Sequence, residues 1–352
     1  MSATSSKPGR PRWLRYRVIV YLIVGLAAVD AVVARHVDLW QAYERHPYRD
    51  AMAKGRRQAW DLVVVGGSPA GYGLDADVLS GLRWQGHSLD RACNLGLVLG
   101  TTADVYHITE RALVTPPRLL LYGITASDLN EDRIEPNGPR QLMRLADVVH
   151  WCRERPDTAD WCVRHYLDER AQRVWQLYYY RNGIRCWAVD QLRHLVGSDA
   201  ESDQLGSGNV DLHVATDERL DVLRAAGKVK DFFPFLDRYQ IKTYLTYLHR
   251  LLDWGEQHHV PVVLVDLPVP ADLEERLCPA QYAAYRTVLA EVEHTRGVRV
   301  LRASPDTVGL TDAHFADLIH LNGNGRARLS AWVRQALGAP ETSEGHEDIR
   351  AE

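Results

Sequence analysis

The sequence predicts an α/β fold in which a doubly wound parallel sheet is covered by helices. Short apolar runs, several of them rich in β-branched residues, recur along the chain and alternate with helical patterns. Continuous apolar runs of this kind are typical of parallel strands that are buried on both faces. With 352 residues, 46% of them apolar, the chain can bury a large core as one large domain or two modest ones.

Five segments are predicted to be the strands of this sheet. They cover residues 61–67, 93–97, 118–124, 261–268 and 298–302. Helical patterns lie between or after them, ending near residue 112, covering about 239–258, and covering about 324–337. Strands that alternate with helices in this way imply right-handed crossovers and a parallel sheet.

Residues 131–235 do not follow the alternation and are predicted to be a helical and loop insertion beside the carboxyl edge of the sheet. Residues 141–195 look helical and are rich in Trp and Tyr, whereas residues 196–215 are rich in Gly, Ser and Asp. Ligands of open α/β sheets bind at the carboxyl edge, so the insertion is either packing material or a lid or substrate wall. The acidic tail, residues 338–352, is expected to be disordered.

The N-terminus has the pattern of a transmembrane helix. Residues 1–17 contain five cations and no acidic residue, and residues 18–34 are apolar except for Asp30. About 20 apolar residues usually cross a bilayer, and the preceding cations would hold the N-terminus in the cytoplasm. Three interpretations are open: a single-pass anchor followed by a juxtamembrane stalk over residues 35–59, a cleaved signal peptide, or a buried helix of a soluble protein. The anchor is the expected one.

Composition excludes some classes of function. The 42 basic and 46 acidic residues give a net charge of -4 without a basic block in the body of the chain, which argues against a nucleic-acid partner. The five cysteines show no metal-ligand spacing, and no metal or other cofactor is expected. The segment GGSPAGYG spaces its glycines differently from GxGxxG, and Pro69 lacks an N–H that a phosphate would use. A nucleotide-binding protein is therefore a remote alternative.

Residues for nucleophilic catalysis occur near opposite ends of the predicted domain. Ser68 follows the first strand at a glycine-rich turn, and Asp317 and His320 precede the last helix. A carboxylate three residues before a histidine can orient one ring nitrogen and leave the other facing outwards. A serine hydroxyl needs such a base because it is unreactive at its free pKa. The pattern predicts a nucleophile, base and orienting carboxylate.

Four blocks of the sequence, within about residues 60–135 and 260–337, resemble the SGNH hydrolase superfamily. The blocks are Gly66-Gly67-Ser68 with the following Gly73-Leu74-Asp75, Asn94-Leu95-Gly96 through Gly100-Thr101-Thr102, Gly123 through Asp128, and Asp317-Leu318-Ile319-His320. The resemblance implies a flavodoxin-like SGNH domain over residues 60–337. It also implies Ser68 as nucleophile, His320 as base and Asp317 as its orienting partner.

The resemblance implies an oxyanion hole as well, although two blocks depart from the family pattern. The first block commonly reads Gly-Asp-Ser, and here Gly67 takes the middle place. The third commonly reads Gly-x-Asn-Asp, and here Ser127 stands where the asparagine amide would donate. The expected donors are the N–H groups of Ser68 and Gly100, with Ser127 or Asn130 in place of the asparagine. One missing donor typically costs about 10²–10³ in rate.

The loose middle blocks resemble the membrane-anchored branch that includes alginate-type O-acetyltransferases and proteins of teichoic-acid D-alanylation. This resemblance implies a membrane-anchored, extracytoplasmic serine esterase or O-acyltransferase that works through an acyl-serine. Its substrate would be an acyl donor or an acylated carbohydrate of the cell envelope. The alternative is a catalytically weak or inactive assembly factor for envelope polymer modification, which would act with other envelope proteins.

Overall fold

The computed structural model contains a central five-stranded parallel sheet. The strands of the described residues are β1 Leu62–Gly66, β2 Leu82–Trp84, β3 His87–Leu89, β4 Ala92–Asn94, β5 Leu119–Ile124, β6 Val262–Asp266 and β7 Arg299–Arg302. The sheet has the order β4-β1-β5-β6-β7. This order is compatible with a doubly wound fold. The α/β class and all five predicted sheet strands are confirmed.

The structure describes residues 12–36, 47–98, 100–130, 144–196, 220, 241–271, 273–274 and 279–338. Their helices are α1 Arg12–Arg35, α2 Pro47–Arg56, α3 Ser68–Gly73, α4 Ala76–Leu79, α5 Thr102–Ala112, α6 Leu145–Glu154, α7 Ala159–Val174, α8 Gln176–Tyr179, α9 Arg181–Val196, α10 Thr243–Gln257, α11 Pro279–Arg296, α12 Pro305–Val308 and α13 Gly323–Gly338. Short 3₁₀ turns lie at Ala126–Leu129, Pro156–Thr158 and Asp312–His314.

The chain divides into two units, and the larger contains the sheet. It comprises residues 46–163 and 209–352, and the smaller comprises residues 1–45 and 164–208. The helices observed over residues 144–196 match the helical pattern of the insertion. Residues 164–208 of the predicted insertion belong to the smaller unit. Residues 197–215 of the Gly-, Ser- and Asp-rich segment and residues 339–352 of the acidic tail lie outside the described residues.

The burial of β1 and β5 explains why the sequences of these strands are continuous apolar runs. Every residue of β1 and β5 is buried, and the two strands pair from Leu62 with Leu119 to Gly66 with Gly123. At the carboxyl edge, β1 therefore ends on Gly66 beside Gly123, the penultimate residue of β5. Gly66 has a φ of +153°, and a Cβ there would lie 2.4 Å from the carbonyl oxygen of Gly123. The absence of side chains lets the chain turn sharply toward Ser68 at this edge.

Helix α2 corrects the expectation of a juxtamembrane stalk over residues 35–59. Tyr48 and Ala51 are buried, and the Lys54 ammonium donates to the backbone carbonyl of Asn94 at the end of β4. The helix packs against α5. Its apolar residues recur at helical spacing, but the high charge of the segment concealed this pattern. Residues 37–46 lie outside the described part of the chain.

In the smaller unit, α1 packs against the short helix α8. Val33 and Tyr180 are buried together, with Leu177 among the side chains around them. The backbone N–H of Leu177 donates to the Asp30 carboxylate over 2.5 Å, so the one acidic residue of the apolar run has a partner. A helix is thus present over residues 18–34. Among the described residues, no helix has the length and apolar character needed to cross a membrane.

A hairpin of β2 and β3 was not predicted. Its turn places Gln85 at φ 48° and Gly86 at φ 81°, two positive values that match the type I′ turns favoured in tight hairpins. The strands are only three residues long, and Gln is not a typical residue at the first of these positions. The sequence signal was therefore too short and too irregular for an assignment.

We expect Gly66→Ala to destabilise the protein by about 1–3 kcal/mol or more, because the added methyl group meets the Gly123 carbonyl and the Ala70 side chain. Urea unfolding would measure the loss. Gly338→Ala is the matched control, since its new methyl group would have only Leu82 nearby, at 3.8 Å. Equal stabilities of the two variants would show that the close approach at the end of β1 does not constrain the fold.

Candidate active site

Ser68 lies at the carboxyl edge of the sheet, where β1 joins α3. Gly67 is the N-cap of α3 and Ser68 its first residue, and Pro69 occupies a position where proline needs no N–H partner. The Ser68 side chain is held in place, with the residue only 4% exposed. Because Ser68 lies in the first turn, its backbone N–H has no acceptor within the helix. The hydroxyl and the backbone N–H of Ser68 therefore both lie at the carboxyl edge of the sheet.

The three residues expected to form a catalytic triad are brought together. His320 Nε2 lies 2.8 Å from Ser68 Oγ, and His320 Nδ1 lies 2.7 Å from Asp317 Oδ2. The His320 and Asp317 side chains are 20% and 15% exposed, so the pair is partly shielded from water. When the imidazole is neutral, a proton on Nδ1 donates to Asp317 and leaves Nε2 as the acceptor for the serine hydroxyl.

The loop that carries Asp317 and His320 is held by its own backbone. The N–H groups of Ile319 and His320 each donate to Asp317 Oδ1 over 2.8 Å, and the Ala316 N–H donates to the His320 carbonyl. Phe315 forms an isolated antiparallel bridge with Leu321 across the loop. The spacing of three residues therefore closes a tight turn in which one carboxylate oxygen fixes the backbone and the other fixes the ring.

Several contacts fasten this loop to the rest of the larger unit. The Asn322 side chain accepts from the N–H groups of Asn324 and Gly325 at the start of α13, and it donates to the Ala313 carbonyl. A Cβ at Gly325 would lie 2.2 Å from the His314 carbonyl oxygen, so only glycine permits this approach. Leu220, within the insertion, is buried and donates its N–H to the Phe315 carbonyl over 2.8 Å.

Opposing effects act on the Asp317 carboxyl. Burial alone would raise its pKa, but the hydrogen bond from the His320 ring, the charge of that ring when protonated, and the two backbone N–H donors together lower the pKa below its ordinary value. Hydrogen bonds to the charged form favour ionisation. Asp317 is therefore a carboxylate at neutral pH, which is the state that can orient the imidazole.

Sequence reasoning missed two residues that hold the triad. The Tyr72 ring meets the His320 ring edge-on, with 4.9 Å between centroids, and Tyr72 is only 6% exposed. The Asn94 side chain donates to the carbonyls of Ala70 and Leu74 and accepts from the Gly96 N–H. Asn94 thereby ties α3 to the loop after β4. Its place at the end of a strand was a usable signal, whereas nothing in the sequence pairs Tyr72 with His320.

The expected oxyanion donor Gly100 is positioned differently from the prediction. Its N–H donates to the Leu97 carbonyl over 3.1 Å within the turn before α5. A donor already engaged in this way does not present an unused N–H to the site. The Gly100 carbonyl faces the first block, since a Cβ at Gly67 would lie 3.1 Å from its oxygen. Gly100 thus contributes close packing here, and its role as an oxyanion donor stays a prediction.

Ser127 and Asn130 lie at the same edge, in and after the 3₁₀ turn that follows β5. The Ser127 hydroxyl shares a 2.8 Å hydrogen bond with the Thr125 hydroxyl, and Ser127 is 7% exposed. Asn130 is fully buried, and its N–H donates to the Ser127 carbonyl over 3.4 Å. Their predicted role as donors to an oxyanion stays a prediction.

Asp128 explains why glycine stands in the middle of the first block. Its Oδ2 accepts from the N–H and hydroxyl of Thr125, which fixes the carboxylate. Its Oδ1 would lie only 2.8 Å from a Cβ at position 67. The Thr102 hydroxyl donates to the Asp128 carbonyl and so joins α5 to the same turn. The first three blocks therefore meet around the glycine.

Asp266, at the end of β6, is a further carboxyl at the carboxyl edge. Its Oδ1 accepts a 2.8 Å hydrogen bond from the Tyr285 hydroxyl, which also donates toward the Ile124 carbonyl. Burial raises the pKa of Asp266 to about 6, and the Tyr285 hydrogen bond offsets part of that rise. The residue therefore anchors α11 against the sheet. Among the described residues, no cluster of His, Cys, Asp or Glu could hold a metal ion.

Comparison with known proteins adds nothing to this geometry: no protein-family model matches the chain, and no curated protein matches it.

Replacing Asp317 by Asn is expected to cost about 1–3 kcal/mol of stability at pH 7. A carboxyl whose pKa is lowered by folding stabilises the fold above its unfolded pKa, about 3.9. That stability is lost as the pH falls through the lower folded pKa. Urea unfolding at about pH 7 and pH 3 should therefore show a difference that shrinks in acid. Asp306→Asn, at an exposed site, is the control. If the stability difference between Asp317→Asn and wild type were the same at both pH values, the lowered pKa of Asp317 would be contradicted.

The opposite sign is expected for Asp266→Asn. A folded pKa raised to about 6 means that ionisation destabilises the fold as the pH rises from about 4 through 6. Asparagine stays neutral and still accepts from Tyr285. The variant should be more stable than wild type by about 1–3 kcal/mol at pH 8 and nearly equal at pH 4. Thermal unfolding at both pH values, compared with Asp306→Asn, measures this. A wild type that is more stable at pH 8 would refute the expected sign.

Proposed function

We propose that the protein is a serine esterase or O-acyltransferase of SGNH type that works through an acyl-serine. The observation that carries the proposal is the chain of contacts from Ser68 Oγ through His320 to Asp317, with distances of 2.8 and 2.7 Å. A hydroxyl, a ring nitrogen and a carboxylate in this order are the parts needed to activate a serine. The blocks that resemble the superfamily supply these residues in the expected places.

The proposed reaction follows from the positions of the protons. As Ser68 Oγ attacks an ester carbonyl, its proton passes to His320 Nε2, and Asp317 stabilises the imidazolium that forms. The imidazolium then protonates the departing alkoxide as the tetrahedral intermediate collapses to the acyl-serine. In the second half, His320 removes a proton from water or from a sugar hydroxyl, which attacks the acyl-serine and releases Ser68.

The oxyanion of this reaction would be bound by the Ser68 N–H, with further donors drawn from Ser127 and Asn130. With the Gly100 N–H engaged by Leu97, the site lacks one donor expected from the resemblance. Since one missing donor costs about 10²–10³ in rate, slow turnover is consistent with the proposal. Because the same donors stabilise the tetrahedral intermediates of both half-reactions, formation and release of the acyl-serine would both be slow.

The location proposed with this function is the extracytoplasmic side of a membrane. Its support is the sequence, namely the basic residues 1–17 followed by the apolar residues 18–34, and the resemblance to membrane-anchored proteins. An acylated envelope carbohydrate or an acyl donor is the corresponding substrate.

A second candidate is a non-catalytic assembly factor for envelope polymer modification. The engaged Gly100 N–H favours it, because a fold that has lost an oxyanion donor can persist as a binding surface. The retained contact between Ser68 and His320 favours the enzyme, because a scaffold has no need of a base aligned on a serine hydroxyl.

A fluorophosphonate probe separates the two candidates. Wild-type protein should be labelled on Ser68, Ser68→Ala should not be labelled, and His320→Ala should react about 10²–10⁴-fold more slowly because the general base is missing. Mass spectrometry of the labelled peptide identifies the site. Ser88→Ala, which removes an exposed hydroxyl elsewhere, should label like wild type.

Absence of labelling in folded wild-type protein, together with no turnover of acyl esters, would remove the enzymatic proposal and leave the assembly factor. Labelling that persists in Ser68→Ala would also contradict the enzymatic proposal, because the probe would then react with another residue.

A further inference from the structure

Two thiols meet where the chain turns from α6 into α7. Cys152 lies in the last turn of α6, and Cys162 lies in the first turn of α7. The Cys152 thiol donates to the Ala159 carbonyl oxygen over 3.8 Å. Side chains of a helix lean over the preceding turn, so Cys162 covers the turn that begins at Ala159. The two thiols accordingly share a hydrogen bond, and both are free in this structure.

The turn between α6 and α7 is held together by non-covalent contacts. The Arg155 N–H donates to the Trp151 carbonyl over 2.7 Å. The Thr158 hydroxyl accepts from the Trp151 indole N–H over 3.1 Å and donates to the Arg155 carbonyl over 3.2 Å. Arg155 also pairs with Asp157 over 3.0 Å. These contacts fix the end of α6 against the start of α7 and so hold the two thiols side by side.

Packing against α10 anchors this turn in the larger unit and leaves one of the two sulfurs accessible. Trp151 is buried, and its ring lies 6.0 and 6.2 Å from the rings of Tyr244 and Tyr247, measured between centroids. Cys162 is only 3% exposed, whereas Cys152 is partly exposed. A reagent in solution can therefore reach Cys152, and Cys162 is reached through its neighbour.

The ionisation of Cys162 sets the order in which the two thiols react. Burial is the main effect that raises the pKa of the Cys162 thiol to about 12, and the adjacent Cys152 thiol raises that pKa further. Thiols react as thiolates, so Cys162 is a poor nucleophile at neutral pH. Cys152 therefore meets an oxidant first, and Cys162 reacts second, with the sulfur already beside it.

We propose that Cys152 and Cys162 form an intramolecular disulfide that clamps the turn between α6 and α7. The oxidant is an organic disulfide, either glutathione disulfide or the active-site disulfide of a thiol-oxidising protein. The Cys152 thiolate attacks one sulfur of the oxidant, which breaks the S–S bond of the oxidant, forms a mixed disulfide and releases one thiolate. The Cys162 thiolate then attacks Cys152 Sγ and releases the second thiolate. The protein gives up two electrons and two protons, and the two released thiolates take up the protons through water.

The clamp is a structural device that is independent of the nucleophile. Its bond closes a ring of chain from residue 152 to residue 162, and such a ring removes conformational freedom from the unfolded chain. The sulfurs of a disulfide lie about 2.05 Å apart, and side chains that already share a hydrogen bond reach this separation by small rotations. Disulfides persist in oxidising compartments, which agrees with the extracytoplasmic location proposed above.

Peptide mapping of the full chain tests the pairing. The protein is purified with a reductant, treated with excess glutathione disulfide, alkylated, and digested without reduction. Trypsin cleaves after Arg153, between the two cysteines, so the bond joins two peptides. We expect this linked pair in wild type and equally in Ser68→Ala. Cys162→Ser should instead retain glutathione on Cys152, because the second thiol is missing, and Cys152→Ser should leave Cys162 unmodified.

Thermal unfolding of the oxidised and reduced forms tests the clamp. Oxidised wild type should unfold about 5 °C above the reduced protein. Cys93→Ala, a change in β4, should keep this difference, and Cys152→Ser should lose it. Because each comparison is made within one variant, a general loss of stability does not obscure the result.

Two outcomes of the peptide map would overturn the proposal. One is the absence of a linked pair in folded wild type, and the other is a bond from either cysteine to Cys93, Cys186 or Cys278. Equal unfolding midpoints of oxidised and reduced wild type would overturn the clamping role. The labelling of Ser68 by the fluorophosphonate probe is unaffected by any of these results, so the two proposals fail separately.

Discussion

The hydrogen bond between Ser68 and His320 joins parts of the chain that are 252 residues apart. One partner stands at the end of the first strand, and the other stands in the loop before the last helix. The bond requires the parallel sheet to bring both segments to one edge, and it requires both segments to be rigid. Since an apposition of 2.8 Å tolerates little error, the surrounding packing is best understood as the support that fixes these two positions.

That support is made largely of backbone groups and small residues. Gly66 at the end of β1 and Gly123 near the end of β5 bring the two strands and α3 into close contact, and Gly325 does the same for the loop before α13. Asn94 and Asn322 use side-chain amides to replace hydrogen bonds that the turns leave open. Each of these two amides both donates and accepts, which holds the side chains and the turns around the site in one arrangement.

The sheet was predictable because buried parallel strands leave a local signature, and the apolar runs around Val64, Leu121 and Leu264 are typical of it. The triad was predictable because Ser68, Asp317 and His320 lie in short segments whose local spacing already implies their geometry. Contacts between distant segments were not predictable in the same way. Tyr72 meets His320, and Gly100 uses its N–H on Leu97, through tertiary packing that no local spacing encodes.

The prediction for the segment before the sheet was wrong for a different reason. The stalk was inferred from charge, and charged residues also occupy the solvent face of packed amphipathic helices such as α2. Nothing in composition marks the point within α7 where the chain passes from one unit to the other. The unit to which a helix belongs depends on which surface its apolar face packs against. Sequence periodicity shows that a face is apolar but does not identify its packing partner.

The approach of Asp128 to Gly67 has a consequence for how such a sequence can diverge. In this backbone, the carboxylate occupies the space that any side chain at position 67 would need. The effect of a substitution at one position therefore depends on the residue at the other, which is epistasis imposed by excluded volume. A side chain at position 67 would therefore require the Asp128 carboxylate or the local backbone to move.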